Sequence, residues 1–102
     1  MKYKSNLGKI LKHIRVYNRE TCLGLSKKLE LTQSYITHLE QSNKTPSLKT
    51  LNKYAKFAGV PVSAIILFAE QYNDKNQIKK KAKNLVCKSA KGLLNWIFEN
   101  DY

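Results

Sequence analysis

The 102-residue sequence predicts an all-α fold. Three observations carry that prediction. Apolar residues recur at spacings of three and four along most of the chain, the period of a helix with one buried face. No segment alternates apolar and polar residues for long enough to make a convincing strand. Hydroxyl side chains stand just before several of the apolar runs, where they cap helices.

Leu7, Ile10, Leu11 and Ile14 make one stripe, with Lys9, Lys12 and Arg15 between them. They predict an amphipathic first helix over about Ser5 to Arg19. Thr21 caps a second helix, Cys22 to Leu29, which turns Leu25 and Leu29 inward. Thr32 caps a third, Gln33 to Gln41, with Ile36 and Leu39 inward. Only Glu30 and Leu31 stand between the second helix and this cap. So short a link forces a sharp angle, and Leu31 is placed to plug the corner. Ser42–Pro46 is a polar turn closed by proline. Ser47 then caps a fourth helix with Leu48, Leu51, Tyr54, Ala55 and Ala58 on one face and Gly59 as its C-terminal cap. Ser63 is read as the cap of a fifth helix that carries Ile65, Ile66 and Leu67. A sixth, from about Lys75 to Glu99, aligns Ile78, Ala82, Leu85, Val86, Ser89, Leu93, Trp96 and Ile97. Its lysines at 79, 80, 83, 88 and 91 lie largely off that face. Gly92 is a weak point at which this helix is expected to bend or break, since glycine costs about 1 kcal/mol relative to alanine.

Composition narrows the function. The chain carries 19 Lys and Arg against 7 Asp and Glu, a net charge of +12. Residues 1–74 hold +7 of it and residues 75–102 hold +5. Such an excess points to a polyanion, either nucleic acid or an acidic membrane surface. The apolar share, 42%, is enough to build a core, which argues against wholesale disorder. The length predicts a single domain and excludes a barrel enzyme or a full dinucleotide-binding sheet. The opening MKYKSNLGKI shows no signal-peptide run, and the longest apolar stretch, near Val60–Ala69, is about half a bilayer span. Cys22 and Cys87 stand far apart and read as free thiols in a reduced, cytoplasmic protein. Neither His13 nor His38 stands at metal spacing with them. His13 reads as a surface residue and Cys87 as core or interface. No nucleophile triad, paired carboxylates or phosphate-cradling loop is visible, so neither an enzyme nor a cofactor is expected.

The third helix is the informative element. Ile36, Leu39 and Glu40 gather on its inner side. At 100° per residue Ser34, Thr37, His38 and Gln41 point the other way, with Gln33 at the exposed N-terminal end. A solvated face more often carries lysine and glutamate. A face that meets base edges is built from neutral hydrogen-bonding groups such as these.

The run LTQSYITHLEQSNKTPSLKTL, followed by KYAKFAGVPVSAIIL, resembles the lambda-repressor-like (Xre/Cro) helix-turn-helix DNA-binding family. The resemblance spans about Leu7 to Phe68. It implies that the first five helices, residues 1–72, form a helix-turn-helix domain; residues 73–102, read from their own pattern, follow as a basic amphipathic C-terminal helix. It places Gln33, Ser34, Thr37 and His38 where the family reads bases in the major groove. Thr32, Tyr35, Gln41, Asn43 and Lys44 fall where the family touches the sugar-phosphate backbone. Arg15 and Glu40 match positions that often pair between the first and third helices. Three residues depart from the family pattern. Cys22 replaces a phosphate-contacting glutamine, Ser26 replaces a small alanine, and Glu30 replaces the glycine of the turn. A left-handed backbone at Glu30 would cost about 1–2 kcal/mol.

The tail leaves three readings open. Leu85, Leu93, Trp96 and Ile97 could be buried against a second copy or the chain's own domain. The same stripe could bind another protein, such as a toxin neutralised by an antitoxin, or lie on an anionic membrane. The resemblance favours a homodimer that binds double-stranded DNA at an inverted repeat, its reading helices about 34 Å apart. The expected function is that of a sequence-specific transcriptional regulator, most simply a repressor.

Overall fold

The computed structural model describes residues 2–72 and 88–100. These residues form six α-helices and no strand: α1 (Lys2–Tyr17), α2 (Cys22–Leu29), α3 (Gln33–Glu40), α4 (Leu48–Ala58), α5 (Val62–Glu70) and α6 (Lys88–Asn100).

The core is the sum of the inner stripes. Leu7, Ile10, Leu11 and Ile14 of α1 are buried together with Leu25, Leu29, Ile36, Leu39, Leu51, Tyr54 and Ala55. α1 runs through the middle, packed along α5 on one side and α3 on the other. It begins three residues earlier than the apolar stripe implied and stops at Tyr17 rather than Arg19. Asn18 ends it: its side-chain Nδ2 donates to the Ile14 carbonyl at 2.7 Å. Arg19 then turns left-handed, with φ 58°.

Three caps act where hydroxyls were expected. Thr21 accepts from the Gly24 N–H at 2.9 Å, Thr32 from Tyr35 at 3.0 Å, and Ser47 from Thr50 at 3.1 Å. Each satisfies a backbone donor that a helix start leaves without an intrahelical partner. Glu30 closes α2 in the left-handed region, φ 56° and ψ 44°, with its N–H bonded to the Ser26 carbonyl. The chain thus holds a glutamate where the backbone favours glycine. Leu31 packs half-buried against the core at the corner between α2 and α3.

Three expectations need correction here. α5 starts at Val62 after Pro61, with no side-chain cap, so Ser63 lies inside the helix instead of before it. Its inward residues are Ala64, Ile65, Phe68 and Ala69, and Ile66 and Leu67 are half-buried. Leu48 is 66% exposed, because the first residue of α4 projects beyond the end of the core.

α6 lies against α1. Leu93, Leu94 and Ile97 are buried in the same core as the five N-terminal helices. His13, expected at the surface, is buried by this packing. Its ring meets Trp96 edge-on at 5.5 Å and stacks with Tyr72 at 6.0 Å, and its Nε2 stands 3.3 Å from the Tyr72 hydroxyl. α6 also runs unbroken through Gly92. A Cβ there would stand 2.7 Å from the Tyr17 hydroxyl, so glycine admits close contact between α1 and α6. Ile78, Ala82, Leu85, Val86 and Cys87 lie outside the described residues. No helix among the described residues is long and apolar enough to cross a membrane.

Candidate nucleic-acid interface

α3 owes its position to an ion pair and a close backbone contact. Arg15 on α1 grips both oxygens of Glu40 along one edge of its guanidinium, Nε to Oε2 at 2.7 Å and Nη2 to Oε1 at 3.0 Å. The third donor, Nη1, reaches the Glu20 carbonyl at 2.9 Å. The two side chains are 15% and 7% exposed. The hydrogen bond to Glu40 raises the Arg15 pKa above its ordinary value, against the opposing effect of burial. The effect on the site is direct. The only acid of α3 is turned inward and neutralised, which removes a charge that would repel phosphate.

Gly8 sets the spacing between the same helices. A Cβ at Gly8 would collide with the Leu39 carbonyl and stand 3.2 Å from that of Glu40. The sequence reading passed over this residue, although a glycine inside a helical pattern is the usual mark of a close approach.

The outer face of α3 lies open. Gln33 and Ser34 are exposed, and Thr37 and His38 are half-exposed. The four expected base-reading residues thus share the accessible side, while Ile36 and Leu39 are wholly buried. The Thr37 hydroxyl donates to the Gln33 carbonyl at 3.0 Å. Its hydrogen is spent, so it offers outward a lone pair and a methyl group.

The expected backbone-contacting residues divide. Thr32 is exposed, but its hydroxyl oxygen already caps α3. Tyr35 is half-buried, and its hydroxyl stands 3.2 Å from Thr50 Oγ1 on α4. That oxygen also accepts from Ser47 Oγ at 3.1 Å. Tyr35 therefore ties α3 to the start of α4, and the exposed Lys44 sets its ammonium 5.9 Å from the Tyr35 ring centroid. Gln41 and Asn43 are exposed and bonded to each other, Nδ2 of Asn43 donating to Oε1 of Gln41 at 3.1 Å. The link between Asn43 and its neighbours was not visible in the sequence, because a turn residue's partner depends on the path of the loop.

At the start of α2, one of the positions that depart from the family pattern is filled by Cys22, a half-buried free thiol packed against the core. Two lysines tie α2 to the elements around it. Lys53 of α4 donates to the Leu29 carbonyl at 2.9 Å, and Lys28 pairs with Glu20 and lies 5.8 Å from the Phe57 ring centroid.

The expected tail interface is divided as well. Leu93 and Ile97 are each 2% exposed within the chain's own core, so they offer a partner almost no surface. Trp96 is half-buried, with Tyr17 at 5.9 Å on one side. Leu85 lies outside the described residues. Leu94 is buried in the same core.

Comparison with known proteins agrees with this geometry. Residues 24–65, from α2 into α5, match the helix-turn-helix family model. The immunity repressor protein of Bacillus phage phi105 is 33% identical over 79 residues. That alignment covers 74% of this chain and 55% of the phage protein, so the chain spans about half the length of the curated relative it matches. No solved structure matches. Residues 24–65, the segment that builds the α2–α3 corner and its support, thus form a helix-turn-helix domain of the lambda-repressor-like kind.

Proposed function

We propose that this chain is a transcriptional repressor that binds double-stranded DNA at an inverted-repeat operator, as a homodimer, with α3 in the major groove. The observation that carries the reading is the make-up of α3. Its open face holds Gln33, Ser34, Thr37 and His38, and its one acid is locked inward by Arg15. The similarity to a phage immunity repressor protein supports it.

The proposed division of labour follows from charge. The net +12 draws the protein to any duplex by releasing counterions from phosphate. Lys44 and the start of α4 contact the backbone and set the register. The uncharged groups of α3 choose the sequence. Gln33 pairs with adenine through N6 and N7, a contact worth about 1–3 kcal/mol of discrimination. Occupied operator DNA is then closed to polymerase, and the protein works in the compartment that holds the DNA, the cytoplasm.

Selection from a pool of random duplexes tests this. The expected product is an inverted repeat whose half-sites are one helical turn apart. A pool that emerges without any preferred sequence would refute the reading of α3. A single, unrepeated half-site would refute the homodimer.

A further inference from the structure

The loop after α3 folds back over the last turn of that helix. The Asn43 N–H donates to the His38 carbonyl at 2.9 Å. The Asn43 side chain follows the same path. Its Nδ2 donates to Gln41 Oε1 at 3.1 Å and stands 3.4 Å from His38 Nδ1. One amide nitrogen thus faces both neighbours.

That arrangement dictates where hydrogens sit. An amide NH2 only donates, so the ring atom it faces accepts. A neutral imidazole that accepts at Nδ1 carries its hydrogen on Nε2. Gln41 is oriented in the same way: its carbonyl oxygen is taken by Asn43, and its NH2 remains to meet a ligand. The C-terminal end of the α3 face then presents donors, His38 Nε2–H and the Gln41 amide. Thr37, the residue before His38, presents a lone pair instead, because its hydrogen is spent on the Gln33 carbonyl.

A side chain held as a donor selects among bases. In the major groove, guanine alone presents acceptors with nothing else beside them, O6 and N7. Adenine sets an N6 donor next to N7, thymine sets a methyl next to O4, and cytosine offers an N4 donor. We propose that Asn43 is a positioning residue that holds His38 as an Nε2–H donor, and that His38 thereby reads a guanine in each half-site. The inference rests on the reading of α3 as the DNA-contacting helix. It moves Asn43 from the phosphate backbone to the control of a base contact.

Two measurements on the full chain test it. The first is the nitrogen-15 spectrum of the imidazole rings in the free protein, at a pH where histidine is neutral, with His38→Ala identifying the signals. The expected result is a single Nε2–H form for His38 that becomes a mixture in Asn43→Ala. An Nδ1–H form, which would mean that the amide is turned round with its oxygen facing the ring, would overturn the proposal. So would the same mixture in both proteins. The second is selection from random duplexes by the wild type, His38→Ala and Asn43→Ala. Both variants are expected to lose preference for the same guanine, by roughly tenfold, and to keep the other positions. An unchanged guanine in either variant would overturn this proposal alone. So would a uniform loss of affinity over all sequences, the mark of a phosphate contact. A wild type that selects no sequence would overturn the reading of α3, and this proposal with it.

Discussion

Replacing Arg15 by alanine should separate this fold from a generic helical bundle. The guanidinium makes two charge-assisted hydrogen bonds to Glu40 and one to the Glu20 carbonyl. Without it, a carboxylate that is 7% exposed faces no cation. Removing one partner of a fully buried pair costs about 3–5 kcal/mol, whereas exposed pairs are worth about 0–1 kcal/mol. With exposures of 15% and 7%, this pair lies nearer the first case. The expected loss is about 2–4 kcal/mol, or roughly 10–20 °C in Tm for a domain of this size. Urea denaturation of Arg15→Ala, Glu40→Ala and the double variant isolates the pair. The double variant should lose less than the sum of the singles, by about 1.5 kcal/mol or more. Additive losses, or a coupling below about 0.5 kcal/mol, would refute the claim that this pair fixes α3 on α1.

Three further substitutions probe the same frame. Gly8→Ala gains helix propensity but drives a Cβ into the Leu39 carbonyl, so a net loss of about 1–2 kcal/mol is expected; a rise in the urea midpoint would contradict the close approach of α1 and α3. Glu30→Gly relieves a left-handed glutamate and should stabilise by about 1 kcal/mol, and an unchanged or lower midpoint would argue against strain there. The Tyr54 hydroxyl is buried with no hydrogen-bond partner, so Tyr54→Phe should leave stability at pH 7 unchanged or raise it by up to about 1 kcal/mol. Burial also raises the Tyr54 pKa. The neutral phenol's contribution is therefore complete below the ordinary tyrosine value of about 10 and falls away as pH rises toward the raised folded value. Between pH 7 and pH 11 the wild type should lose more stability than Tyr54→Phe; equal losses would contradict the raised pKa.

The helices that build the corner were legible because their signals are local. Thr21, Thr32 and Ser47 cap where a hydroxyl precedes an apolar period, and α2 begins and ends where the pattern places it. The open face of α3 was legible for the same reason: 100° per residue separates Ile36 and Leu39 from Ser34 and Thr37. What failed depends on distant chain. His13 lies on the flank of the α1 stripe and reads as exposed until α6 covers it. The apolar stripe of α6 was visible, but periodicity says that a face is buried and not against what. Leu93 and Ile97 turn out to complete the chain's own core. The Arg15–Glu40 pair came from resemblance, since nothing in a spacing of 25 residues announces an ion pair. Asn43, His38 and Gln41 are close in sequence, yet their mutual hydrogen bonds depend on a loop whose path no local pattern specifies.

The central claim is that the uncharged open face of α3 chooses the sequence while charge elsewhere supplies the attraction. Gln33→Ala tests it most directly, measured by titration against the selected operator and a random duplex at one salt concentration. Gln33 is exposed at the start of α3, so the substitution leaves the core untouched. A loss of about 1–3 kcal/mol is expected on the operator and almost none on the random duplex. Equal losses on both, or an operator affinity that does not change, would contradict it.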